Sequence, residues 1–179
     1  MAVPPLLMAA VACTPTLNWR EVSLANLTTF VPCKPDQAQR TVHLGDADVA
    51  MEMAGCEAAD ALYAVSHVRA PDAKQAPMVL HDWRAATLAN LQATSVQPHD
   101  FKLAKAPDGA YQVPVAATAT AANGGWTMLW VQGQRADASV VHARLVWFAV
   151  GVDIYHVAVY GAHLSPDTVD MLFSDLRLQ

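Results

Sequence analysis

At 179 residues the chain has the length of one domain, enough to bury a core without metals or a dense set of disulfides. Hydrophobic residues make up 54% and charged residues 15%, a balance that excludes a disordered or highly charged polymer. The net charge of -5 and the absence of any basic run argue against nucleic acid as a partner, because phosphate binding needs clustered Lys and Arg. No apolar stretch approaches the roughly 20 residues that a membrane-spanning helix needs.

Residues 2–12, "AVPPLLMAAVA", carry no charge and are almost all apolar. Such a run suits the apolar region of a secretion signal and is too short to cross a bilayer. It ends in "AVAC", with the small residues Ala10 and Ala12 just before Cys13. This resembles the lipobox of bacterial lipoproteins, whose signal is cut before a cysteine that then carries the lipid. Ala10 stands where that motif usually has Leu, and no Lys or Arg precedes the apolar run, as in a signal clipped at its start. The resemblance implies a signal peptide over 1–12, lipidation at Cys13, a short tether over 13–18 and a single domain over 19–179. A disordered or strand-like N-terminus is the alternative.

With Cys13 lipidated, Cys33 and Cys56 remain as a pair. An exported chain lives where disulfides persist, so the two are expected to bond to each other. Their contexts, "FVPCKPD" and "MAGCEAA", place each near a strand end beside a turn former. On chain-entropy grounds a bridge closing that loop contributes about 3 kcal/mol. In a cytosolic protein the same residues would be two free thiols. Zinc is not expected, because neither cysteine has a second Cys or His at ligand spacing.

"WREVSL" (Trp19 to Leu24) and "TTFVPC" (Thr28 to Cys33) are expected strands, followed by a "KPDQ" turn. "QRTVHL" (Gln39 to Leu44) and "DVAMEMAG" (Asp48 to Gly55) flank "GDA", a hairpin signal with Gly45 free to take positive φ. "ALYAVSHV" (Ala61 to Val68) continues the series. The period then changes: Leu80, Trp83, Thr87, Leu88 and Leu91 recur at helical spacing, which predicts a helix over about Pro77 to Ala93. "DFKLAK" and "YQVPVAATATA" are expected strands, with Pro114 pushing the second towards a sheet edge. "WTMLWVQGQR" (Trp126 to Arg135) is a strong strand signal. "SVVHARLVWFAV" and "DIYHVAVYGAH", flanking Gly151, form the clearest hairpin. In the tail, Ser165 suits an N-cap, Pro166 the first helical position and Asp167 the positive helix end. Val169, Leu172, Phe173 and Leu176 then form one apolar stripe. The expected fold class is α+β: an antiparallel sheet with the mid-chain and C-terminal helices covering one face.

Three stretches, "FVPCKPD", "HDWRAATLANL" and "IYHVAVYGAHLSPDTVDMLFSDLRL", together resemble small bacterial envelope lipoproteins with a PsbP-like α/β/α sandwich. The resemblance spans roughly Trp19 to Leu178 and its motifs are structural. It implies a binding or assembly module and supplies no catalytic motif.

Seven histidines raise the question of catalysis or metal: His43, His67, His81, His99, His142, His156 and His163. None forms H-x-x-x-H or H-x-H, so no local pair presents two ligands on one face, and no metal or cofactor is expected. With Gly151 at the centre of a three-residue loop, His142 and His156 share a sheet face with Arg144 and Tyr160; a one-residue register shift moves one strand's set to the other face. No G-x-S-x-G elbow or phosphate loop is present. In "HDW" the adjacent His81 and Asp82 do not face each other on a helix. Trp126 and Trp130 lie on one strand face, either as core or as an aromatic platform for a partner.

The expectation is an exported, lipid-anchored protein facing the periplasm, held more in the outer than the inner membrane, acting as a non-catalytic binding or assembly module. Its partners are the membrane, through the lipid, and an unknown protein or small molecule. Two rivals stand: a periplasmic enzyme whose site gathers His142, Arg144 and His156, and a cytosolic adaptor with reduced cysteines.

Overall fold

The last two long strands of the sheet set the architecture. Val140–Val150 and Asp153–Gly161 are buried on both faces along most of their length. A strand buried on one face alternates; continuous burial requires cover on both sides. The computed structural model describes residues 17–101, 108–113 and 126–178, and shows what supplies that cover.

In chain order the elements are β1 (Arg20–Leu24), β2 (Leu27–Val31), β3 (Asp36–Leu44), β4 (Ala47–Ala58), β5 (Ala61–Arg69), α1 (Ala76–Asn90), β6 (Ser95–Phe101), β7 (Ala110–Tyr111), β8 (Trp126–Gln134), β9 (Val140–Val150), β10 (Asp153–Gly161), α2 (Pro166–Ser174) and β11 (Arg177–Leu178). The large sheet runs β3-β4-β5-β10-β9-β8-β6, with β7 paired to β9, and a small sheet runs β1-β2-β11. Every pairing is antiparallel. Two-residue turns close four of the hairpins. Gly45 and Gly151 each take φ 60° there, as a tight turn between right-twisted strands demands.

The α+β class with a large antiparallel sheet is as the pattern implies. The placement of the helices is not. α1 packs Ala76, Val79, Leu80 and Trp83 onto Leu145, Trp147, Ile154 and Ala158. α2 packs Val169, Leu172 and Phe173, with the small sheet, against the opposite side of the large sheet, where Tyr63, Val146, Phe148, Tyr155 and Val157 lie. One helix therefore serves each face. The reason is the first hairpin: β1 and β2 leave the main sheet and form a second layer, which gives α2 a place to dock away from α1.

Several boundaries also shift. The mid-chain helix ends at Asn90, and the turn leading into it is held by Asp72 Oδ1, which accepts from the backbone N–H groups of Lys74 and Gln75 at 2.9 Å each. β6 begins at Ser95, ahead of the expected "DFKLAK" strand, and lies at the sheet edge, where Pro98 is tolerated. Only Tyr111 to Val113 of the "YQVPVAATATA" stretch fall within the described residues; Pro114 does not. The signal, Cys13 and most of the tether also lie outside them.

Cys33, just past β2, is bonded to Cys56 in β4, with the Cα atoms 5.9 Å apart. The bridge joins the small sheet to the large one.

Candidate functional site

A concave feature lies beside α1. The helix covers only part of its sheet face, because its C-terminal end is drawn across to β8. There the Leu91 carbonyl accepts the backbone N–H of Gln134 at 2.8 Å, at a point where Gly133 has no Cβ to obstruct it. The uncovered part of the sheet is a groove of about 700 Å³. β5 and β10 make its floor, where Ser66 stands directly opposite His156 and Leu62 opposite Tyr160. Val42, Met51 and Met53 form one wall, and Trp83, Ala86 and Thr87 of α1, with Leu91 just past its end, form the other. Arg40 on β3 and Arg135 after β8 stand exposed at its two ends.

His156 is 6% exposed. Its ring stacks on Trp147, with centroids 4.2 Å apart and planes within 6°, and meets the Trp83 ring edge-on at 5.4 Å. Its Nε2 has no hydrogen-bond partner among the described residues. With no nearby carboxylate to favour the cation, burial pushes its pKa down to about 3. The imidazole is therefore neutral at pH 7. Burial also raises the Tyr160 pKa.

A pH dependence follows. The unfolded chain takes up a proton at His156 near pH 6.5, whereas the folded one resists until about pH 3. Between those values the unfolded state binds more protons. Stability is therefore complete above pH 6.5 and falls as the pH drops, by about 1.4 kcal/mol per pH unit from this residue. Urea unfolding of a His156→Phe variant from pH 7 to pH 4 is expected to lack that component of the slope.

The residues singled out from the sequence do not form one cluster. Val150 pairs with Asp153, so the β9–β10 turn has two residues rather than three. That one-residue difference sets His156 opposite Trp147 and turns His156 and Tyr160 to the α1 face. His142 and Arg144 point to the other face, beside Trp130 on β8, whose register partner is Arg144. There the Trp130 ring is 41% exposed and lies between two neighbours. The His99 ring from β6 stacks at 3.8 Å, and the Arg144 guanidinium carbon sits 3.9 Å from the indole centroid. A shallow recess of about 140 Å³ adjoins them, lined also by Gln97, Gln132 and His142. Burial lowers the Arg144 pKa. Trp126, two residues before Met128 on the same strand face, instead packs edge-on against Phe148 at 5.5 Å, partly in the core.

A third cluster joins distant strands. His67 Nε2 lies 2.9 Å from Asp153 Oδ1, with Glu52 at 3.7 Å on the other ring nitrogen and Tyr155 beside the ring at 5.1 Å. It ties β4, β5 and β10 together, and of its members Glu52 also lines a shallow recess between β3, β4 and the β1–β2 hairpin. Among the described residues no group of three His, Cys, Asp or Glu side chains could hold a metal. The groove and the His67 cluster were not legible in the sequence. The nearest signals were Met51 and Met53, apolar positions on a strand that the groove leaves partly uncovered.

The sequence matches no protein-family model and no curated protein.

Proposed function

We propose that this chain is an exported envelope protein, anchored by a lipid on Cys13, whose PsbP-like domain is a non-catalytic binding module facing the periplasm. The observation that carries the reading is the Cys33–Cys56 bond. Such bonds persist in oxidising compartments and are rare in the reducing cytosol, which weighs against the adaptor alternative. Among the described residues, no helix is long and apolar enough to cross a membrane, so a covalent lipid would supply the attachment. A helix on each sheet face is compatible with an α/β/α sandwich of the PsbP kind. A lipobox-like signal favours the outer membrane as the destination.

Binding is preferred to catalysis on the chemistry of the groove. A general base works best with a pKa near the operating pH. His156 is far below that range and is clamped by two indoles. The enzyme alternative also needs His142 and Arg144 beside His156, and they occupy the opposite face.

The test is metabolic labelling with an alkyne fatty acid in a bacterial host expressing the full chain. Label is expected in the membrane fraction and is expected to vanish in a Cys13→Ser variant. Absence of label in the unmodified chain, or label that survives the substitution, overturns the anchoring.

A further inference from the structure

We propose that the groove beside α1 binds a single-chain anionic amphiphile, with its carboxylate or phosphate at Arg40 and an oxygen function on its chain meeting His156 and Ser66. The inference deepens the binding-module reading and rests on it.

The dimensions come first. About 700 Å³ is within the range of roughly 300–1,000 Å³ typical of small-molecule sites. The groove crosses the strands, from Arg40 on β3, over β4, β5 and β10, to Val141 on β9 and Arg135 beyond β8. At about 4.8 Å per strand spacing the groove reaches roughly 20 Å across the sheet. That reach accommodates an extended chain. The lining agrees: Val42, Met51, Met53, Leu62, Trp83, Leu91, Val141 and Tyr160 offer it apolar surface. Methionines and an exposed leucine are adaptable walls for a flexible apolar chain.

Polar side chains interrupt this apolar lining, and two of them bear on the ligand's chemistry, His156 and Arg40. His156 Nε2 is a buried nitrogen with no partner, a condition that native proteins avoid unless something else completes it. The His156 residue lines the groove, and the Ser66 side chain shares its floor one strand away. A hydroxyl placed there would satisfy Nε2 in either tautomer, whereas an ester or keto oxygen could only accept, from the Nε2–H tautomer or from the Ser66 hydroxyl. Arg40 stands three strand spacings from His156, about 14 Å. Among the described residues Arg40 is in no ion pair. Arg135, at the far end, already has Asp137 for electrostatic company. The charge distribution thus marks the Arg40 end for the anionic head. Glu57 also lines the groove, six residues along β4 from Met51, and disfavours an anion placed beside it.

The test uses the full-length Cys13→Ser chain, which lacks the proposed lipid site and so separates this question from lipid anchoring. Probes are 12-hydroxystearate, stearate and stearyltrimethylammonium, each below its micellar concentration, titrated with tryptophan fluorescence and calorimetry as readouts. Saturable one-to-one binding of both anions is expected, at least tenfold tighter than the cation. The hydroxy acid is expected to bind about threefold to tenfold tighter than stearate, the worth of one net hydrogen bond. Arg40→Glu should weaken both anions at least tenfold, and Arg135→Glu by less than threefold. His156→Phe should abolish the preference for the hydroxy acid and leave stearate bound. Thermal melts of each variant confirm folding, and Arg40 is exposed, so its replacement does not threaten the core. Four results overturn the proposal: no saturable binding, equal binding of anions and cation, insensitivity to Arg40→Glu, or a hydroxyl preference that survives His156→Phe. A chain whose own apolar N-terminus fills the groove would give the first of these. Loss of Cys13-dependent labelling with intact probe binding would instead sink the anchoring alone.

Discussion

Replacing Phe173 with Ala is expected to destabilise the fold by about 3–5 kcal/mol, the range for deleting a buried aromatic ring. Phe173 is 1% exposed and sits in the core that α2 shares with the small sheet. α2 spans only 9 residues and would hardly persist without that contact. One further tie fixes it: the Thr29 hydroxyl donates to the Leu172 carbonyl at 2.9 Å, and both are buried. Loosening the helix would therefore also disturb β2, and with it β11, which follows the helix and pairs with β2. Urea unfolding gives the measurement, with Met171→Ala as the control. Met171 is 47% exposed on the far side of the same helix, and its loss should stay within about 0.5 kcal/mol. Equal effects at the two positions would contradict the docking described for α2.

The second large effect belongs to the cysteine bridge. A Cys33→Ala/Cys56→Ala double variant is expected to lose about 3 kcal/mol, since the bond spans 23 residues and constrains the unfolded chain. For a domain of this size the melting temperature should fall by roughly 6–12 °C. Reductant should lower the melting temperature of the native chain by a similar amount and leave the variant unchanged. The damage has a predicted location as well. Amide exchange should accelerate first in β1 and β2, which the bond fastens to β4, while β9 and β10 keep their protection. An unchanged melting point on full reduction would refute the bond's structural role.

What could be seen in the sequence, and what could not, divides along the range of the interactions. Local rules located the hairpin at Gly45, the start of α2 at Pro166 and the long β9–β10 hairpin, because each depends on a few adjacent residues. The cysteine pair was legible because only two cysteines remained once Cys13 was assigned elsewhere. The face of His142 was not, because it turned on whether Gly151 lies in a loop of two residues or three; a single residue inverts the set. The opposite placement of the helices had a visible sign that was undervalued: "RLVWFAV" and "IYHVAV" do not alternate, and unbroken apolar strands ask for cover on both sides. His67 and Asp153 are 86 residues apart, and their pairing depends on β5 meeting β10 across the chain. The groove depends on how far α1 reaches across its sheet, a property of tertiary packing with no local code.

The rims of the large sheet carry one more implication. Its two terminal strands are β3 and β6. The first presents Asp36, Gln37, Gln39, Arg40 and Thr41 to water, and the second contains Pro98, which has no N–H to offer. Charge on one border and a missing donor on the other both hinder a foreign strand from zipping on and extending the sheet. At high concentration the large sheet therefore resists polymerising edge to edge, and an assembly built on its borders would rely on side chains rather than main-chain hydrogen bonds.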